Sequence, residues 1–111
     1  MHEIGIVQEV LSIILNKIQK EKVKKVVLRI GKQSGVFPDA VRFGFEICSE
    51  GTRAEGAALE IIETAGRARC DSCKKEFEIE QPYGQCSCGC INLSMIGGED
   101  LLIQNVEVAH V

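Results

Sequence analysis

The sequence predicts an α+β fold: a small mixed three-stranded sheet with two helices, into which a cysteine-rich subdomain is inserted. Three observations carry the prediction. Two stretches with helical apolar spacing alternate with two β-branched runs; a third such run closes the chain; and five of the six cysteines fall between Cys70 and Cys90. A chain of 111 residues has room for one compact core and a small subdomain stapled by something other than hydrophobic burial.

The first helix runs from residue 4 to about residue 20. Ile4, Val7, Leu11, Ile14, Leu15 and Ile18 follow the i, i+3, i+4, i+7 rule, with Gln8, Ser12, Asn16 and Lys17 opposite. Val10 and Ile13 widen the stripe, as expected of a helix lying on a sheet. Glu3 suits the positive end of the helix dipole, and Lys17 and Lys20 suit the other end. A strand follows over Lys25–Ile30, ended by Gly31. The loop from Gly31 to Gly35 has two glycines but lacks the order of a phosphate-binding loop. Pro38 opens the second helix, where a missing N–H costs nothing, and Gly51 closes it as a left-handed C′ residue. Its inner stripe is Val41, Gly44, Phe45 and Cys48, with Phe43 and Ile47 on its flanks. Cys48 on this stripe reads as a small hydrophobe. Ala58–Thr64 is a second strand and Leu101–Val108 a third, the latter with Leu102, Val106 and Val108 opposed to Leu101 and Ile103. The last strand should pair with the earlier two, which makes the cysteine segment an excursion from the core.

Composition narrows the function. Hydrophobic content of 45% and charge of 26% are those of an ordinary globular domain. A net charge of −3 argues against a nucleic-acid binder. The lysines from Lys17 to Lys25 read as a solvated helix end and turn. The longest apolar runs are too short to span a bilayer, and no signal peptide is visible, so the expected location is the cytoplasm. Thiols are kept reduced there, and clustered cysteines point to a metal ion more than to disulfides.

Cys70 and Cys73 form one CxxC corner, and twelve residues separate it from Cys86, Cys88 and Cys90. Two such corners can bring four thiolates to about 2.3 Å from one tetrahedral Zn²⁺. Phe77 and Ile79 fit the hairpin that joins the corners of a zinc ribbon. So short and polar a segment cannot fold on apolar burial alone; zinc binding, of order 10–16 kcal/mol in small peptides, would supply the difference. Four thiolates leave no open position, so the site would be structural. The second corner is one residue shorter than CxxC. The assigned set is Cys70, Cys73, Cys86 and Cys88, with Cys90 as the alternative to Cys86.

His2 offers a different chemistry. A Met1 α-amine, the backbone nitrogen of His2 and its imidazole can close fused rings around one ion, and nitrogen-rich coordination suits Ni²⁺ or Cu²⁺ better than Zn²⁺. The positive end of the helix dipole opposes a cation there, which favours releasable binding.

Met1-His2-Glu3, Val41-Arg-Phe-Gly-Phe-Glu46, Gly51-Thr-Arg-Ala-Glu-Gly56 and the two cysteine corners before a final strand resemble the HypA family across essentially the whole chain. That family comprises nickel-insertion accessory proteins for [NiFe]-hydrogenase maturation. The resemblance implies a nickel-binding α/β domain of residues 1–66 and 97–111 with a zinc-ribbon domain of residues 67–96. It implies transient Ni(II) cargo at His2 with Met1 and Glu3 around it, and structural Zn(II) in the ribbon. It also implies delivery to the hydrogenase large subunit with a HypB-type GTPase; some members also serve urease. Pairing into a homodimer stays open. The family's usual CPxCG corner is shortened here to Cys86-Ser-Cys88-Gly89, and Cys90 falls where a small polar residue is usual. With no catalytic triad, acid–base pair or nucleotide loop, the chain reads as a metallochaperone and not an enzyme. Two rivals stand beside it: a zinc-ribbon interaction module with no nickel role, and a thiol redox sensor using Cys88 and Cys90.

Overall fold

The computed structural model describes residues 2–81 and 83–109, with only the backbone of His2. Helix α1 spans His2–Lys17, strand β1 Lys22–Gly31, helix α2 Pro38–Ser49 and strand β2 Ala58–Thr64. Strands β3 (Gly66–Cys70), β4 (Glu76–Ile79) and β5 (Leu93–Gly97) follow, and β6 (Leu101–Ala109) ends the described chain. The strands form two three-stranded sheets, ordered β2-β1-β6 and β4-β3-β5. The architecture is the predicted α+β fold.

In the first sheet β1 is central. It runs parallel to β2, with Leu28 opposite Ile61, and antiparallel to β6, with Leu28 opposite Ile103. The parallel pair is connected through α2, since parallel strands need a crossover. The two helices pack on one face of the sheet. Val7, Val10, Leu11 and Ile14 of α1, with Val41 and Phe45 of α2, bury against Val26, Leu28 and Ile30 of β1. Gly44 lets the helices approach, because a Cβ there would lie 3.0 Å from Ile4 Cδ1.

Three predicted details change. Helix α1 ends at Lys17, short of residue 20, where Arg53 takes over the chain direction. Its guanidinium donates to the carbonyl of Leu15 at 2.7 Å and of Glu21 at 3.2 Å, and its own carbonyl accepts the Val23 N–H at 2.9 Å. On β6, Leu101, Ile103 and Val106 all pack against the core, so the predicted opposition of Val106 to Leu101 and Ile103 is wrong. The register skips Gln104 between the pairs Leu28–Ile103 and Val27–Asn105, and this bulge resets which side chains face inward. Phe43 and Ile47 are not flanks of the core but exposed, while Cys48 packs partly against it.

The two sheets meet at a backbone crossing. The turn after β1 hydrogen-bonds both connections: Lys32 N–H to Thr64 O at 2.9 Å, Gln33 N–H to Gly98 O at 2.8 Å, and Gly31 N–H to Asp100 O at 2.8 Å. Gln33 also donates from its side chain to the carbonyl of Glu80 on the far side of the crossing.

Candidate metal centre

The second sheet is built around few apolar side chains. Among the described residues Ala68, Cys70 and Cys86 are its buried hydrophobic ones, and Phe77 and Ile79 are only half-buried. Apolar burial on this scale cannot offset the cost of ordering some thirty residues, at roughly 1–2 kcal/mol each for the backbone alone. The sheet instead positions two cysteine corners.

The first corner is the turn between β3 and β4. Cys70 N–H donates to Lys75 O at 2.9 Å and Lys74 N–H to Cys70 O at 2.9 Å, with Lys74 in the left-handed region at φ 66°. The fold of this turn aims the Cys73 N–H at the Cys70 sulfur, 3.5 Å away. The second corner closes in fewer residues: Gly89 N–H donates to Cys86 O at 2.8 Å and Cys86 N–H to Cys90 O at 2.9 Å. Gly89 sits at φ 96°, which a side chain would disfavour. The corners are tied together by Asp71, whose N–H donates to Asn92 O at 3.0 Å and whose carboxylate accepts the Ser94 hydroxyl at 2.7 Å.

The structure brings Cys70, Cys73, Cys86 and Cys88 together, with all four sulfurs within 4.8 Å of one another. The Cys70–Cys88 separation is 3.6 Å and the Cys73–Cys86 separation 3.5 Å. A tetrahedron with arms of about 2.3 Å has edges of about 3.8 Å, so this donor set fits a zinc site. The separations exclude disulfides, whose sulfurs lie about 2.05 Å apart, and all six cysteines are free thiols. Cys90 is not in the group. Its sulfur accepts the Asn92 N–H at 3.4 Å.

The thiols are electrostatically unequal. The Cys73 N–H, with that of Ser72, favours the Cys70 thiolate against the cost of burial and brings its pKa down to about 6. The Cys88 N–H does the same for Cys86, again against burial, and lowers its pKa. At Cys88 the Cys90 N–H favours the thiolate, but hydrogen bonding with the Cys70 and Cys86 sulfurs outweighs it and pushes the pKa up to about 12. Cys70 and Cys86 are buried, whereas Cys73 and Cys88 are exposed, so one edge of the tetrad faces solvent.

At the other end of the chain, Met1 and the His2 side chain lie outside the described residues, as does His110. The backbone of His2 forms the first residue of α1. Glu3 is buried, and its Oε2 accepts the Phe37 N–H at 3.3 Å. Phe37 is the N-cap of α2 and has no side-chain cap of its own, so a carboxylate from α1 serves the start of α2. Glu3 lies in the first turn of α1, as its helix-dipole signal predicts, and its hydrogen bond to Phe37 adds a role at the start of another helix.

A family model described as HypA, hydrogenase/urease nickel incorporation, metallochaperone, matches residues 1–108. The chain belongs to this HypA family. It is 47% identical over 111 residues to the hydrogenase maturation factor HypA of Trichormus variabilis, covering 100% of this chain and 98% of that one. The hydrogenase maturation factor HypA of Geobacter sulfurreducens is 39% identical over 109 residues, covering 97% and 99%. The solution structure of the Ni metallochaperone HypA from Helicobacter pylori has the same fold, with a TM-score of 0.67 at 24% identity and 97% of each chain covered. A HypA family chain of this length is a maturation factor of the metallochaperone class and not an enzyme. No helix among the described residues is long and apolar enough to cross a membrane.

Sequence reasoning missed two structural elements that hold this arrangement. Arg53 lies in the Gly51–Gly56 stretch that carries part of the resemblance, and no local signal ties it to the carbonyls of Leu15 and Glu21, 38 and 32 residues away. Gln33 stood in a loop read only against the phosphate-binding pattern.

Proposed function

We propose that the chain carries Ni(II) as transient cargo at its N-terminus and delivers it to the large subunit of [NiFe]-hydrogenase during maturation. The observation that carries this reading is the completeness of the cysteine tetrad. Four converging sulfurs fill a tetrahedral ion's coordination, so a releasable cargo needs another site. His2, with Met1 and Glu3 around it, is that site in this proposal, and the Glu3–Phe37 hydrogen bond ties the first turn of α1 to the start of α2.

Cys70, Cys73, Cys86 and Cys88 would hold Zn(II) as a structural ion that supplies folding energy to the ribbon. Residues 1–66 and 97–111 then form the nickel-binding domain and residues 67–96 the zinc-ribbon domain, a division supported by the two separate sheets. The radius of gyration of 17.4 Å, against about 13 Å for a compact chain of this size, fits two lobes in line. The partners in this reading are a HypB-type GTPase and the hydrogenase large subunit, with urease accessory proteins for nickel shared between enzymes. In this reading the work is done in the cytoplasm.

The test is metal analysis of untagged protein followed by Ni²⁺ titration of wild type and His2→Ala. The expected result is one zinc per chain in both proteins, with nickel binding and support of hydrogenase maturation lost only in His2→Ala. Unchanged nickel affinity and maturation in that variant would overturn the proposal and leave a zinc-ribbon interaction module.

A further inference from the structure

The first sheet guards its two edges differently. Strand β2 forms one edge and β6 the other. Strand β2 carries Glu60 and Glu63, and the Arg42 guanidinium donates to its Leu59 carbonyl at 2.9 Å. Charges on an edge strand discourage pairing with another chain. Strand β6 has no such cover: from Leu101 to Val106 it reads Leu-Leu-Ile-Gln-Asn-Val, with no charge and no proline. The bulge at Gln104 twists this edge but puts no charge on it.

Beside that edge runs an apolar groove. Two cavities of about 390 and 270 Å³ lie between α1 and β6. Ile6 and Leu101 line the first, Ile18 and Val106 the second, and Ile13 and Ile103 line both. Ile13, at the middle, is 43% exposed, and Leu102 on the strand is 53% exposed. Glu9 lines the first cavity and Lys17 the second, each about one helical turn from Ile13. Neither charged side chain has an ion-pair or hydrogen-bond partner among the described residues.

We propose that a second copy of this chain covers the groove in a two-fold dimer, with β6 antiparallel to the partner's β6 and α1 antiparallel to the partner's α1. An unpaired backbone edge suits any extended strand; the charges of the groove select a copy of the same chain. A two-fold axis at Ile13 sets it against Ile13 of the partner subunit and sets each Glu9 against Lys17 of the partner subunit. An isologous contact repeats every pair, so two ion pairs close around one apolar centre. Pairing of the β6 strands joins the two three-stranded sheets into one continuous sheet and gives the free backbone groups of each edge their partners. None of these residues is assigned to either metal.

The experiment is sedimentation equilibrium of the untagged full chain across the micromolar range, with circular dichroism and zinc content as controls of the fold. Wild type should reach twice the 12.2 kDa mass of the chain. Glu9→Lys and Lys17→Glu each set like charges opposite one another at both ends of the contact. Each should weaken the dimer by about tenfold, and by less at high salt. The double variant Glu9→Lys/Lys17→Glu exchanges the two charges and should return dimerisation to the wild-type range. Ile13→Lys should yield a monomer with an unchanged circular dichroism spectrum. A wild type that stays monomeric throughout would overturn the proposal and leave the edge to a strand of another protein. A double variant no better than the single ones would overturn it as well, because the charges would then not face one another. So would a dimer that Ile13→Lys leaves intact, since it would form through another face.

Discussion

Gly31 lies so close to Gly98 that a Cβ on Gly31 would sit 2.1 Å from the Gly98 carbonyl oxygen. Gly98 is equally tight against the other connection, where its own Cβ would meet Gly66 Cα at 2.5 Å. The two strands of chain that link the sheets thus cross with backbone against backbone, at the turn that follows β1. Gly31→Ala forces one of these backbones to move and disrupts the hydrogen bonds of Gly31 to Asp100 and of Gln33 to Gly98, on the approach to β6. Overpacking against a backbone should cost about 3 kcal/mol or more. Thermal unfolding of the variant should show a clear loss of melting temperature while zinc per chain stays unchanged, because the cysteine corners lie away from the crossing. A melting temperature equal to wild type would show that the crossing yields freely.

Arg53 makes the turn between α1 and β1 by satisfying two carbonyls that have no helical partner. Arg53→Ala leaves Leu15 O and Glu21 O without these donors in a part-buried turn. At about 1–3 kcal/mol for losing such partners, the variant should be measurably less stable to urea. Arg53→Lys should recover little, since a single ammonium cannot reproduce the planar fork that reaches both oxygens. Full recovery by lysine would mean that the charge, and not the fork, matters.

Much of this fold was legible because its signals are local. Val41 and Phe45 share a helical stripe whatever surrounds them, and Pro38 and Gly51 mark the ends of α2 through their own backbone preferences. The inserted sheet was less legible. Gly66-Arg-Ala-Arg-Cys70 and Leu93-Ser-Met-Ile-Gly97 are strands because they pair with each other, with Ala68 opposite Met95, and neither carries a strong β pattern of its own. The bulge at Gln104 depends on register against β1, which no window of β6 contains. At the tetrad the residue types were readable, but the choice between Cys86 and Cys90 turns on how Gly89 bends the chain. Glu3 shows the same boundary: its charge was visible, its partner Phe37 lies thirty-four residues on.

The geometry separates Cys86 from Cys90 in a way that substitution can check. The Cys86 sulfur is 3.5 Å from that of Cys73, while the Cys90 sulfur is engaged by Asn92. Cys86→Ser should therefore weaken zinc binding by more than the roughly 10–100-fold that changes outside the ligand sphere cost. Cys90→Ser should retain one zinc per chain with affinity within about threefold of wild type, well short of that loss. Competition with a chelator of known affinity measures both. If the two variants exchanged behaviour, Cys90 would be the fourth ligand.

Zinc uptake should also release protons in a pH-dependent number. Cys88 keeps its proton up to about pH 12 in the metal-free tetrad, so it gives up one proton to the incoming ion across the whole neutral range. Cys70, brought down from its ordinary 9.0 to about 6, is already ionised at pH 7.5 and gives up none; well below pH 6 it too is protonated and must release one. The count per zinc should therefore rise by about one between roughly pH 7.5 and pH 5, and the affinity should fall by one further decade per pH unit on the acid side. The same signs govern the metal-free ribbon. The lowered Cys70 value contributes stability that is complete above 9.0 and lost as pH falls through about 6, while the raised Cys88 value contributes stability lost only as pH rises through about 12. Calorimetric zinc titrations in buffers of different ionisation enthalpy count these protons directly. An equal count at both pH values would show that Cys70 is not the thiol that ionises first.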